Sequence, residues 1–115
     1  LPLSIRTIED SSSVKVIVEG DLNRDNIDEF ESRMRSIRFD PGHKIILDLS
    51  ALDIEDGLTM ATTINALREL RSRTSGLILK GAPQMLGHNL YRVGLLNGPA
   101  AIVLVDMRED EPAGF

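Results

Sequence analysis

The chain has no cysteine and no tryptophan. Without thiols it can form neither a disulfide framework nor a cysteine metal site, and a cysteine nucleophile is excluded; this suits a reducing compartment and is read as cytoplasmic. Aromatic residues make up only 3% and the formal net charge is −5, with a sequence pI near 4.9. Nucleic-acid binding wants a basic footprint and usually stacking rings, so that class is set aside. Histidine is scarce as well. His43 and His88 are the two in the chain, and neither stands at a catalytic spacing from a Ser, Cys or Asp partner, so both read as surface residues. No apolar run is long enough to span a bilayer, and no charged-then-apolar start marks a secretory signal. The start at Leu1 and not Met leaves room for a lost leader or a larger parent protein. What is present is 115 residues, enough for one hydrophobic core without metal or disulfide staples.

The middle of the chain reads as a strand, a turn and a helix. Residues 44–49 are almost wholly apolar, which predicts a central strand covered on both faces. Asp56 is placed to cap the helix that follows, because a carboxylate there accepts from free N–H groups of the first turn and sits at the positive end of the dipole. Met60, Ala61, Ile64, Leu67 and Leu70 recur at helical spacing and should face the sheet, with Thr62, Asn65, Arg68, Glu69 and Arg71 outside.

Before this unit, residues 3–8 and 14–18 alternate apolar and polar around Ser11-Ser12-Ser13, the pattern of an antiparallel hairpin. Gly20 to Asn23 closes the second strand, and Asn23 is expected to cap a helix carrying Ile27, Phe30, Met34 and Ile37 inward. After it, Gly76 ends the central helix and 77–79 is a short buried strand. Pro83 opens a third helix with Leu86, Leu90, Val93 and Leu96 as its inner stripe, weakened by Gly87 and Gly94. A last strand spans 100–105. Residues 107–115 are charged, contain Pro and Gly and lack apolar periodicity, so they read as a flexible acidic tail on a domain of residues 1–106. The order ββαβαβαβ predicts a single α/β domain with a mostly parallel mixed sheet and helices packed on it.

Several motifs in this order resemble a known family. Asp48-Leu49-Ser50, then Leu52, then Ile54-Glu55-Asp56 is similar to the D-L-S-x-V-x-(F/I)-(I/M)-D signature of STAS domains, the sulfate transporter and anti-sigma factor antagonist family. Gly20-Asp21-Leu22-Asn23 resembles its G-x-L-(D/N) segment, and Gly94-Leu95 its G-L after the third helix. The resemblance implies a non-catalytic protein-interaction domain of bacterial transcription regulation, working by partner switching. Phosphorylated members carry a regulatory serine straight after the aspartate; here that position is Gly57. A degenerate phosphosite follows, and with it an antagonist-like domain without serine switching. The implied partner-binding residues are Asp56, Gly57, Leu58, Thr59, Thr62, Arg68 and Arg71. The implied partner is an anti-sigma factor, a kinase-like ATPase. An alternative is a small STAS subunit that docks on the ATPase of an ABC lipid transporter, which does not need the serine.

Other chemistry finds less support. Asp48, Asp53, Glu55 and Asp56 form the densest acidic cluster, but capping and a solvated loop account for them and no histidine joins them at ligand spacing. The lysine before Gly81 lacks P-loop order. A phosphoaspartate receiver would need a lysine after the last strand, where Asp106 stands. Met60 and Met85 read as core filling. No catalytic residue, metal ligand or cofactor is expected.

Overall fold

In the computed structural model, which describes residues 1–109, β2 (Ser13–Leu22) buries every second side chain and leaves those between half exposed. It is therefore covered on one face only. It pairs antiparallel with β1 (Ser4–Glu9) and parallel with β3 (Lys44–Asp48). Beyond β3 lie β5 (Leu77–Lys80) and β6 (Val103–Val105), both parallel to it, in the order β1-β2-β3-β5-β6. Each crossover steps the same way across the sheet. Right-handed connections therefore place α1 (Ile27–Ser36), α2 (Gly57–Arg73) and α3 (Gln84–Arg92) all on one side.

That geometry corrects the expectation for the central strand. Ile45 and Leu47 are fully buried beneath the helices, while Ile46 and Asp48 are half exposed on the other face. Because the strand order never reverses, no crossover returns over that face, and an apolar run does not by itself mean two covered sides. The core lies between sheet and helices, with Phe30 and Met34 of α1, Leu67 and Leu70 of α2, and Leu86 and Leu90 of α3 packed on β2, β3 and β5.

A sixth strand, β4 (Leu52–Ile54), was not expected. It pairs parallel with the far end of β2, Gly20↔Leu52 through Leu22↔Ile54, while the first half of β2 pairs with β3. Gly20 has φ +104, and a Cβ there would lie 2.1 Å from the Pro2 carbonyl oxygen. Only glycine fits such a strand position.

The helix ends also differ in detail from expectation. Asn23 Oδ1 accepts from the Asp25 and Asn26 amides, and Asn26 Oδ1 accepts in return from the Asn23 amide at 2.9 Å, a reciprocal box over a turn that leads into α1 at Ile27. At the end of α3, Gly94 (φ +78) donates to the Tyr91 carbonyl and Leu95 to the Leu90 carbonyl, a Schellman cap. Leu90 and Leu95 are both buried, the apolar contact that goes with such a cap. Val93, expected inside, is instead 46% exposed at the helix C-cap. β6 starts at Val103 and not at residue 100, since 97–100 form a turn held by the Ile102 amide on the Leu95 carbonyl.

The expected boundary after residue 106 does not part the chain from the domain. Met107 packs on the core, and Arg108 donates to the carbonyls of Gly81, Leu49 and Leu52. Residues 110–115 of the expected tail lie outside the described residues.

Candidate functional site

The short β4 places the site. Its pairing brings the Glu55 amide onto the Leu22 carbonyl at 3.0 Å, so the entry to α2 lies beside the turn that leads into α1. Asn23 Nδ2 donates to Glu55 Oε2 at 3.3 Å and ties the two turns together. Asp56 follows in extended backbone as the N-cap of α2, and its Oδ1 accepts from the Thr59 amide at 2.8 Å. Arg24 Nε stands 3.5 Å from Asp56 Oδ2. The Thr59 N–H foremost, with the Arg24 charge adding to it, holds the Asp56 carboxyl below its usual range.

Of the expected partner residues, the structure gathers four on the surface. Asp56 is half buried, and Gly57 is exposed at the first helical position, where an added Cβ would meet nothing within 4 Å. Leu58 is 59% exposed. Arg68 is exposed and donates to Asn65 Oδ1 at 3.1 Å.

The other three are placed differently. Thr59 is 1% exposed and lies under the helix, so it cannot meet a partner directly. Thr62 is half buried, with its hydroxyl on the Leu58 carbonyl at 3.2 Å. Arg71 is half buried and its guanidinium donates to the Ala100 carbonyl, which commits it to the loop before β6. The reason is a rotation of the buried arc. Thr59, Thr63, Ala66 and Leu70 are buried together with Ile64 and Leu67, whereas Ala61 is exposed and Met60 only partly covered. α1 packs along the first of these flanks, and the Thr63 hydroxyl satisfies itself on the Thr59 carbonyl at 2.8 Å.

The flank left uncovered forms a groove. Met60, Ala61 and Ile64 of α2 face Met85 and Val93 across a space of about 490 Å³ that opens beside Asp56, Gly57 and Arg68. Both methionines, expected as core filling, line this groove half exposed. Thioether side chains adapt to varied partners, which suits a binding surface. A helical-spacing reading of α3 alone could not find the groove, because Met85 faces it only once α2 and α3 are set side by side.

The acidic cluster disperses in space. Asp48 bonds Ser50 and stands 3.8 Å from Lys15, Asp53 is 3.6 Å from Arg108, Glu55 takes Asn23, and Asp56 caps α2. Among the described residues no three acidic or histidine side chains converge on a point that could hold a metal. His88 is exposed and His43 is half buried at the start of β3, the opposite end of that strand from Asp48. No helix among the described residues is long and apolar enough to cross a membrane.

A sequence model of the STAS domain matches residues 4–108. Among solved structures, the unphosphorylated anti-sigma factor antagonist SpoIIAA is similar at 16% identity and TM-score 0.58, over 94% of this chain and 91% of the other. The phosphorylated form of the Bacillus cell fate determinant SpoIIAA is similar at 16% identity and TM-score 0.60, over 90% of each chain. A sulfate transporter family protein from Wolinella succinogenes is similar at 18% identity and TM-score 0.58, over 87% of this chain and 81% of the other. At these identities the likeness shows the fold. No curated protein matches the chain.

Proposed function

The chain belongs to the STAS domain family, and from that premise we propose that it is a protein-interaction module of the anti-sigma factor antagonist kind, working without a serine switch. STAS domains are generally non-catalytic. The observation that carries the reading is the exposed start of α2: a capped Asp56, an open Gly57 and a bare Leu58 beside a methionine-lined groove. Leu58 and the groove supply apolar contact, and Asp56 and Arg68 supply charge at its edge, the makeup of a modest docking surface. In this reading Gly57 stands where a phosphorylated relative has its serine, so control by phosphate at that position is lost and the negative charge of Asp56 is permanent.

The absent hydroxyl also favours a second reading, a small subunit docking through the same surface on the ATPase of an ABC lipid transporter. Fold does not choose between them. The test is recovery of bound proteins from the native lysate on immobilised wild-type chain and on Gly57→Trp, identified by mass spectrometry. A kinase-like anti-sigma factor lost in the variant supports the first reading. A transporter ATPase lost in the variant moves the protein to the second, and partners retained equally by the variant overturn the surface itself.

A further inference from the structure

Met60, Ala61 and Ile64 face Met85 and Val93 across open space, so contact between these walls does not set the spacing of α2 and α3 at the groove. One short segment reaches the leads into both helices. It follows β6 directly, and Arg108 is its centre. On the α2 side, Arg108 donates through one guanidinium nitrogen to the carbonyls of Leu49, at 3.2 Å, and Leu52. These two residues bracket the turn between β3 and β4, and Leu52 stands shortly before the Asp56 cap. On the α3 side, Arg108 Nε donates to the Gly81 carbonyl at 3.0 Å, and its own carbonyl accepts at 2.9 Å from Nε2 of Gln84, the first residue of α3. Met107 gives a second foothold. A Cβ on Gly87 would lie 2.9 Å from Met107 Cε, so the glycine that costs α3 helix propensity makes room for this thioether.

We propose that Arg108 is a positioning residue of the docking groove, fixing the start of α2 against the start of α3. Sheet pairing joins the two leads at their base, where the Leu49 amide donates to the Lys80 carbonyl at 2.8 Å. Beyond that point Arg108 carries the link out to Leu52 and, through its own carbonyl, to α3. A guanidinium suits the task because its donors form a rigid planar fork, so acceptors on two loops are held at fixed mutual angles. Its side chain is 21% exposed, whereas the Asp53 carboxylate 3.6 Å away is 76% exposed and contributes little. At the other end of α2 the Arg71 guanidinium donates to the Ala100 carbonyl, so loss of Arg108 frees the start of the helix and not its end. The inference rests on the reading of the groove as the partner surface, but the spacing of its walls is measurable with no partner present.

The chain has no cysteine, so nitroxide labels at Leu58→Cys and His88→Cys, both exposed near the starts of α2 and α3, report that spacing by pulsed electron paramagnetic resonance. With Arg108 in place the distance distribution is expected to be narrow. Arg108→Ala should shift its mean or widen it by about 2 Å or more, the scale of a helix displacement. Arg108→Lys should do nearly the same, since one ammonium cannot span the fork, and Arg108→Gln, with one donor group left, should move it less. Asp53→Asn should leave it unchanged. Val14→Ala truncates the core at the end of β2 farthest from Arg108; it should lower the urea midpoint without altering the distribution, which separates positioning from general loss of stability. An Arg108→Ala distribution that superposes on the parent, or one that Val14→Ala reproduces, would overturn the proposal. On the unlabelled chain, the partner recovered with wild type should bind Arg108→Ala at least about threefold more weakly. Undiminished affinity for Arg108→Ala, with Gly57→Trp impaired, would overturn the role of Arg108 and leave the docking surface standing. Undiminished affinity for Gly57→Trp, with the distance shift intact, would instead overturn the docking reading on which that role rests.

Discussion

Gly81 sits directly over Ser50: at φ +66, a Cβ on Gly81 would lie 2.2 Å from the Ser50 hydroxyl oxygen and 2.9 Å from the Ser50 Cα. Turning the hydroxyl aside would break the bond it donates to Asp48 Oδ1 at 2.7 Å, and would not relieve the contact with the Cα. Gly81 meanwhile is fixed by its amide on the Val105 carbonyl and its carbonyl on Arg108. Gly81→Ala therefore carries both a left-handed backbone penalty and a backbone clash, together about 2–4 kcal/mol. A lower urea midpoint with unchanged slope checks it.

Arg108 bridges three carbonyls, those of Gly81, Leu49 and Leu52, and its side chain is only 21% exposed. Arg108→Ala should cost about 2 kcal/mol, because it leaves partly buried acceptors behind. Arg108→Lys should recover little of this, since one ammonium cannot span the same fork. Urea unfolding of both variants measures it.

Asp56 titrates below its usual range in the folded chain, chiefly because of the Thr59 amide. Asp48 does too: partial burial pushes it up, but the Ser50 hydroxyl and amide, with Lys15 and Lys80, outweigh that. A depressed folded value means that the stabilisation is present above the unfolded value, near pH 4, and is lost as pH falls through the folded one. The urea midpoint should hold from neutral pH to about 5 and drop below about 4. Asp56→Asn keeps a capping oxygen but no charge, so its acid drop should be shallower than that of wild type.

Gly57 needs no glycine. Nothing lies within 4 Å of an added Cβ and its φ is ordinary, so Gly57→Ser should change stability by less than about 0.5 kcal/mol. Thermal melts of the two chains side by side test this. A large loss would mean that the helix start is strained in a way that its geometry does not show.

Much of the fold could be read from local chemistry, and what escaped did so for physical reasons. Asp56 was legible because a capping carboxylate before a periodic apolar helix is a local signal, whereas Gly94, read as a weak spot within the third helix, is the left-handed residue that ends it. β4 was not, since Leu52–Ile54 is three residues with an exposed aspartate in the middle, too short for any period to register. The one-sided sheet was hidden because Ile46 and Ile78 are apolar yet face outward. Thr59 was expected at the partner surface, and only the position of α1 against α2 buries it together with Thr63. The groove depends on the placement of two helices and leaves no mark in either one alone.

The most direct test of the interaction surface is the dissociation constant of the recovered partner for wild-type chain, Gly57→Ser and Gly57→Trp, measured with matched melting curves. The account predicts that Gly57→Trp binds at least tenfold more weakly while unphosphorylated Gly57→Ser stays close to wild type. Equal affinity of wild type and Gly57→Trp would show that the start of α2 is not where the partner sits.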